Sequence, residues 1–173
     1  ALVVGAPGLG RSMAAELIAR QLGELEPTVT VVRVDHVPGF ATSGTSIDLG
    51  RIDADAVDAL VSVEQSTVLV IDDAESLSLP MVQALERLVD ANNGHVRIIA
   101  TTTLDAARSV RSWTSKIRGS GVGILIGGAP SDGEIFRVRL GPLPGRGSIP
   151  GRANLIMRGQ VVGMQLAYLN AAT

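Results

Sequence analysis

One stretch near the start of the chain, GAPGLGRS at residues 5–12, constrains the fold more than any other feature. The apolar run 2–4 precedes it and predicts a buried strand. Residues 12–22 follow it and predict an amphipathic helix that Gly23 ends. The predicted inner face of this helix carries Met13, Leu17, Ile18 and Leu22. A strand, a glycine-rich turn and a helix in this order are typical of an α/β domain with a parallel sheet.

The spacing of residues 5–12 is that of a phosphate-binding (Walker A) loop, G-x-x-x-x-G-K-[ST], with Arg11 in place of the lysine. Glycines let consecutive N–H groups point at one anion, and the positive end of the following helix adds attraction. A glycine-rich turn without a ligand is the alternative, but the spacing and the context together favour a phosphate loop. The residues predicted to bind the nucleotide here are Gly5, Pro7, Gly8, Leu9, Gly10, Arg11 and Ser12, of which Ser12 also offers its hydroxyl to Mg²⁺.

A second apolar run, residues 68–71, ends in the acids Asp72 and Asp73. Such a strand delivers a carboxylate to the metal beside a phosphate loop. We predict that Asp72 orients Mg²⁺ through water and that Asp73 stands where a catalytic base would position the attacking water. Asp73 is one methylene shorter than a glutamate, which weakens this catalytic role. Solvated acids at a strand end are the alternative, and pairing with the loop favours the site for ATP and Mg²⁺.

Other apolar runs predict the rest of a mostly parallel sheet covered by helices on both faces. Strands are predicted at 28–34 and 96–100, and helices are predicted to begin near Asp53 and Ser78. One further helix is predicted from four residues at helical spacing, Ala106, Val110, Trp113 and Ile117. After these elements the sequence pattern predicts short strands, at 122–126, 134–140, 155–157 and 161–166. These strands would extend the sheet antiparallel at one edge.

Composition excludes several classes of site. The chain has no cysteine, which excludes disulfides, zinc–thiolate sites and a thiol nucleophile. Fifteen basic and seventeen acidic residues give a net charge of −2, so nucleic acid is not an expected partner. No apolar run approaches the ~20 residues of a membrane span. We therefore expect one intracellular domain over residues 1–173.

Several polar and aromatic residues can be interpreted either as functional or as structural. Thr101, Thr102 and Thr103 could place a hydroxyl near a γ-phosphate, but β-branched residues also simply suit a strand end. Trp113 lies on an apolar helix stripe, which favours core packing over base stacking. His36 lacks an acidic partner at metal-ligand spacing, as does the other histidine of the chain, so both are expected to be structural or solvated.

Three motifs in the last third of the chain narrow the choice of protein family: SDGEIF at 131–136, PLPGRG at 142–147 and QLA at 165–167. Together with VIDD at 70–73, they resemble the closing segment of FtsK/SpoIIIE-type ATPases. The resemblance is strongest to the ATPase modules of the type VII secretion motor EccC, called EssC in other bacteria. It extends from residue 2 to about 168, and the PLPGRG segment with Gln165 is its most specific part.

This resemblance implies a RecA-like core that takes ATP and Mg²⁺, with Gly145 and Arg146 added to the nucleotide site. It implies neighbouring ATPase modules in the same chain, a hexameric ring, and a parent protein anchored in the bacterial membrane by segments outside residues 1–173. The domain would lie on the cytoplasmic side and would receive the signal helix of a secreted substrate. Later modules of such motors commonly carry altered Walker loops, and Arg11 fits that pattern.

Three functional hypotheses follow. The first is a degenerate ATPase module of a secretion motor that serves regulation or substrate docking, with weak nucleotide binding and little or no hydrolysis. The second is an active ATP-driven DNA translocase, which the short connection between the second strand and Asp72 and the scattered arginines disfavour. The third is a small P-loop kinase, disfavoured because no arginine-rich lid segment is evident.

Overall fold

The computed structural model describes residues 1–26, 28–34, 53–62, 64–91, 94–109, 113–141 and 151–166. Within these residues, seven strands form a single sheet. The strands are β1 (Leu2–Gly5), β2 (Thr30–Val34), β3 (Thr67–Ile71), β4 (Val96–Thr102), β5 (Val122–Ile126), β6 (Arg152–Met157) and β7 (Gln160–Gln165). The α-helices are α1 (Arg11–Leu25), α2 (Ala54–Ala59), α3 (Leu79–Ala91), α4 (Leu104–Arg108) and α5 (Trp113–Gly119).

The strand order is β2-β3-β4-β1-β5-β6-β7. The first five strands in this order run parallel, while β6 and β7 continue the sheet antiparallel. Every residue of β1 and β3 is buried, as expected where helices cover both faces of a parallel sheet. The predicted fold, a mostly parallel P-loop sheet with antiparallel strands toward the end of the chain, is confirmed.

The core has two halves, one on each face of the sheet. Leu2, Val4 and Leu69 pack with the α3 face, and Trp113 lies in this half at 2% exposure. Val3 and its neighbours on the opposite face pack with α1. The single tryptophan is therefore a core residue, as its helical spacing predicted.

Helix α1 differs from its prediction in length and in its buried face. It continues through Gly23 to Leu25 because one helical glycine costs only about 1 kcal/mol relative to alanine. The fully buried hydrophobic positions are three alanines, Ala14, Ala15 and Ala19. The larger predicted residues Met13, Leu17, Ile18 and Leu22 are only partly buried. Small side chains let the helix lie close to the sheet, and the long ones flank it.

Helices α2 and α3 follow their predictions. Asp53 caps α2, where its carboxylate accepts a hydrogen bond from the N–H of Ala56 at 2.9 Å. On α3, Met81, Leu85 and Leu88 are buried as their spacing indicated. The predicted helix through residues 106–117 instead forms two short helices, α4 and α5, and its residue Val110 lies outside the described residues.

The predicted strand at 134–140 is wrong. Residues Pro130–Phe136 form a 3₁₀ helix. The Asp132 carboxylate accepts the N–H of Ala129 at 2.6 Å and pairs with Arg108 at 2.7 Å, which fixes a helical turn. Burial still alternates along residues 136–140, so the pattern arises from packing beside the sheet and not within it.

Candidate nucleotide-binding site

The loop that carries the glycines leaves the carboxyl end of β1, between its neighbours β4 and β5. A Cβ at Gly5 would lie 3.0 Å from the carbonyl oxygen of Ile126, so this position leaves little room for a side chain. Gly8 and Gly10 have φ angles of 79° and 90°, in the left-handed region that glycine adopts without strain. Backbone turns of this kind aim N–H groups at one point and form an anion-binding concavity.

Gly10 is the N-cap of α1, a helix of fifteen residues, and has no side chain to bond the first helical N–H groups. The first turn also contains no acidic residue. Unbonded N–H groups at the positive end of a helix attract anions such as phosphate. The loop and the start of α1 therefore suit a phosphate group.

Asp72 follows β3 at the same edge of the sheet, with β4 between it and the loop. The hydroxyl of Thr101, on β4, donates to Oδ1 of Asp72 at 2.6 Å. The same hydroxyl accepts the N–H of Asp73 at 2.9 Å. Thr101 is fully buried, so its hydroxyl holds the acidic turn and does not face a ligand. Of its neighbours, Thr102 is buried and Thr103 caps α4 through the N–H of Ala106.

Arg11 bridges the loop and the turn after β3. Its Nη2 lies 2.6 Å from Oδ1 of Asp73, and its Nη1 lies 3.1 Å from Oε1 of Glu75. Arg11 is only 7% exposed, so these ion pairs are largely shielded from water on its side. The guanidinium therefore occupies the gap between the two motifs, and both carboxylates hold it there. Glu75 was missed by the sequence analysis, although its position two residues after Asp73 was a possible signal.

Asp73 is held in an unusual conformation. Its φ of 47° lies in the left-handed region, which is uncommon for a residue other than glycine. Burial raises the pKa of Asp73, and the negative charge of Asp72 raises it further, while Arg11 opposes both effects. Oδ1 of Asp73 already accepts a hydrogen bond from Arg11 at 2.6 Å, so this oxygen is not free to accept the proton of a water molecule.

Two cavities adjoin the loop. The larger, of about 450 Å³, lies between the loop, α1, β2 and β3. Its wall includes the predicted residues Pro7, Gly8, Gly10, Arg11, Ser12, Asp72 and Asp73. Gly8 and Asp72 therefore share one edge of the sheet. The ion pair between Glu16 and Arg33, at 2.6 Å, closes another part of this wall.

The smaller cavity, of about 210 Å³, lies on the other side of α1 and is mainly apolar. Leu9, Met13 and Leu17 meet Gly151 and Leu166 here, so it joins the loop to the end of the chain. Met13 and Leu17 were predicted to face the core, and they line this cavity instead.

The donor set fits a magnesium ion that arrives with a nucleotide. Mg²⁺ usually keeps several waters and takes one or two protein oxygens together with phosphate oxygens. The Asp72 carboxylate and the Ser12 hydroxyl line one cavity and could supply those protein oxygens. Among the described residues, no group of three His, Cys, Asp or Glu side chains could hold a metal alone.

Some predicted residues fall elsewhere. Gly145, Arg146 and His36 lie outside the described residues. His95 precedes β4, at the edge opposite the loop, and is exposed. In the part of the chain that the structure describes, no helix has the length and apolar character to cross a bilayer.

This chain resembles known proteins in sequence and in fold. Residues 1–114 match the ATPase family associated with various cellular activities (AAA). The fold is similar to that of EccC (ATPases 2 and 3) from Thermomonospora curvata, solved with a signal sequence peptide, at a TM-score of 0.65 and 21% identity over 98% of this chain and 36% of that chain. EssC (ATPases 2 and 3) from Geobacillus thermodenitrificans gives a TM-score of 0.64 and 14% identity over 95% and 36%.

A third similar structure is the genome packaging NTPase B204 from Sulfolobus turreted icosahedral virus 2, with AMP, at a TM-score of 0.57 and 12% identity over 97% and 96%. This chain thus spans little more than a third of the EccC and EssC chains. No curated protein matches the sequence. At these identities the structural likenesses show the fold alone. The family match covers more than half of the chain, and with the phosphate loop and the acidic strand it shows that the chain belongs to the ATPase family associated with various cellular activities.

Proposed function

We propose that this domain is an ATPase module of a bacterial type VII secretion motor that binds nucleotide weakly, hydrolyses little or no ATP, and serves regulation or the docking of secreted substrates. The observation that carries the catalytic part is the pair of ion pairs from Arg11 to Asp73 and Glu75. The lysine of a phosphate loop is a compact charge that reaches the terminal phosphates. Here the corresponding cation is bound by two carboxylates.

Little hydrolysis follows from positioning. Phosphoryl transfer depends on holding the γ-phosphate, the metal and the attacking water in line. Arg11 spreads its charge over a planar group larger than an ammonium, and Asp73 carries the short side chain of an aspartate. Both groups are already engaged with each other at 2.6 Å. Arg11 is therefore not a free cation for the γ-phosphate, and Asp73 is not a free base for the water.

Other residues of the site still support nucleotide binding, although Arg11 and Asp73 are paired with each other. Gly8, Gly10 and Ser12 would hold the phosphates, and Asp72 with Ser12 would hold Mg²⁺. The small apolar cavity beside Leu9 has the character of a site for a nucleobase, since ligand pockets are lined mainly by apolar groups with a few polar ones. Gly145 and Arg146 are further candidates from the PLPGRG segment.

The secretion role rests on the likeness to EccC and EssC and on the sequence motifs at 131–136, 142–147 and 165–167. EccC was solved with a signal sequence peptide, and we extend peptide docking to this domain as part of the proposal. The partners would be neighbouring ATPase modules of the same chain, other copies in a hexameric ring, and the signal helix of a secreted substrate. The domain would work on the cytoplasmic face of the membrane.

An active DNA translocase module is the second candidate, and the similarity to a genome packaging NTPase favours it. The charge distribution opposes it. Arg87 and Arg97 each form two hydrogen bonds with a carboxylate, on Asp58 and Glu26, and Lys116 pairs with Asp90. Cations neutralised in this way contribute little to binding the phosphates of DNA.

Steady-state ATPase rates test the proposal. We expect the unaltered chain to turn over slowly, and Arg11→Lys to gain activity at matched assembly state. Brisk turnover by the unaltered chain that collapses in Asp72→Ala would contradict the degenerate-site proposal. Retention on DNA at low salt, lost steeply as salt rises, would favour the translocase.

A further inference from the structure

We infer that this site selects a nucleoside diphosphate over a nucleoside triphosphate, and that Glu75 is a specificity-determining residue for this choice. The inference rests on the proposed function, because it concerns the same nucleotide site. It concerns Glu75, the second carboxylate that pairs with Arg11, which belongs to no nucleotide-binding motif of the sequence.

The loop offers N–H groups to a phosphate, whereas the gap beyond the loop is already occupied by Arg11. Gly10 gives the first turn of α1 no side-chain cap, so the N–H groups of that turn remain available to a phosphate held by the loop. The gap between the loop and Asp72 is where a further phosphate would project. Arg11 lies across this gap, with its guanidinium on Asp73 and Glu75.

A γ-phosphate entering the gap meets one of two arrangements. If Arg11 stays, its guanidinium occupies space that the phosphate needs, and the carboxylates of Asp73 and Glu75 stand behind it. If Arg11 moves to the phosphate, two ion pairs break, and three acids, with Asp72, face a ligand of like charge. Mg²⁺ on Asp72 offsets only part of that charge. Like charges brought together oppose binding, so either arrangement disfavours the triphosphate.

A diphosphate avoids this conflict. Its terminal phosphate is the one that the loop cradles, and the gap can keep Arg11 in place. A guanidinium has five N–H donors, and the two ion pairs of Arg11 use one donor each. Arg11 can thus remain with its carboxylates and still present positive charge to the last phosphate of the ligand.

Glu75 matters because Asp73 alone would hold Arg11 through a single contact. The side chain of Glu75 is about one-quarter exposed, whereas that of Asp73 is about one-half exposed. The less exposed contact is the less screened of the two. Removing the charge of Glu75 leaves Arg11 with the more exposed contact to Asp73 alone, so Arg11 moves toward a γ-phosphate more easily.

The test compares ADP with a non-hydrolysable ATP analogue by calorimetry on the 173-residue chain, at one Mg²⁺ concentration. We expect ADP to bind about tenfold more tightly than the analogue. In Glu75→Gln, and more fully in Glu75→Gln with Asp73→Asn, this ratio should fall toward one because affinity for the analogue rises. Glu64→Gln removes an exposed charge from the opposite edge of the sheet and should leave the ratio unchanged.

The outcomes separate the two proposals. Equal or tighter binding of the analogue by the unaltered chain overturns the diphosphate preference and leaves nucleotide binding intact. An unchanged ratio in both variants, with circular dichroism showing that they are folded, overturns the role of Glu75. If no nucleotide binds at all, the proposed nucleotide site fails and this inference fails with it.

Discussion

The hydroxyl of Thr101 lies 2.6 Å from Oδ1 of Asp72, and this bond crosses from β4 to the turn after β3. Because the same hydroxyl accepts the N–H of Asp73, one buried side chain fixes both acids of the turn. The register of the sheet supports this contact, since Thr101 pairs with Val3 of β1, just before the phosphate loop. Thr101 thus connects the two motifs through the strand that separates them.

Replacing Thr101 by valine should destabilise the domain and loosen Asp72. The variant leaves the N–H of Asp73 and a lone pair of Asp72 without their partner, which costs about 1–3 kcal/mol. Chemical unfolding followed by the fluorescence of the single tryptophan, Trp113, measures the loss of stability. Thr101→Ser keeps the hydroxyl and is the control. Equal stability and equal Mg²⁺ dependence of nucleotide binding in the valine variant would contradict this role.

The raised pKa of Asp73 predicts how its contribution to stability changes with pH. A carboxyl group whose pKa is higher in the folded than in the unfolded chain binds protons more tightly when folded. Its contribution to stability therefore grows as pH falls through the folded pKa toward the ordinary value of 3.8, and is lost as pH rises.

Unfolding of the unaltered chain and of Asp73→Asn across this pH range measures the effect. The stability of the unaltered chain relative to the variant should increase toward acid pH, while the effects of acids remote from this turn cancel in the comparison. A difference that is constant with pH would show that Arg11 offsets burial and Asp72, and one that shrinks toward acid would show that Arg11 outweighs them.

Gly123 should tolerate no side chain. An added Cβ would lie 2.1 Å from the ring of Phe136, which packs over β5. We expect Gly123→Ala to cost about 1–3 kcal/mol through overpacking. Phe136→Leu in the same chain should recover part of that loss, because the smaller side chain makes room. Gly119→Ala, with no atom within 4 Å of the new Cβ, is the control and should be close to neutral. Additive losses in the double variant would show that the two positions do not interact.

Substrate docking predicts saturable binding of a helical secretion-signal peptide. An amphipathic helix binds by laying its apolar face into a groove, so the order of its residues matters as well as their composition. Fluorescence anisotropy of a labelled peptide, titrated with the domain, should reach a plateau. A scrambled peptide of the same composition is the control, and an indistinguishable response would count against docking on this domain.

The sheet and the two motifs were predictable because their signals are local. The apolar runs before Gly5 and before Asp72 are continuous, and a glycine-rich loop at fixed spacing needs few neighbours to be recognised. Strands β1 and β3 and the edge of the sheet that they share followed directly. Local patterns of the same kind indicated that a helix begins at Asp53 and that Trp113 is buried.

The ion pairs of Arg11 were not predictable, because they join residues more than sixty positions apart. Sequence analysis assigned Arg11 to phosphate and Asp73 to water, and the charge of each residue is equally compatible with pairing to the other. The 3₁₀ helix at Pro130–Phe136 was missed for a different reason. Alternating burial at 136–140 resembles that of a strand, and only the contact of Asp132 with Arg108 reveals the turn.

The small cavity beside Leu9 is lined by residues from both ends of the described chain. Gly151 and Leu166, which flank β6 and β7, supply the wall opposite Leu9 and Met13. The family match ends at residue 114, before both of these strands. A polypeptide restricted to the matched region would keep the phosphate loop and lose one side of the compartment next to it. Under the proposed function, the residues for the phosphates and the residues for the group attached to them therefore lie in different parts of this chain.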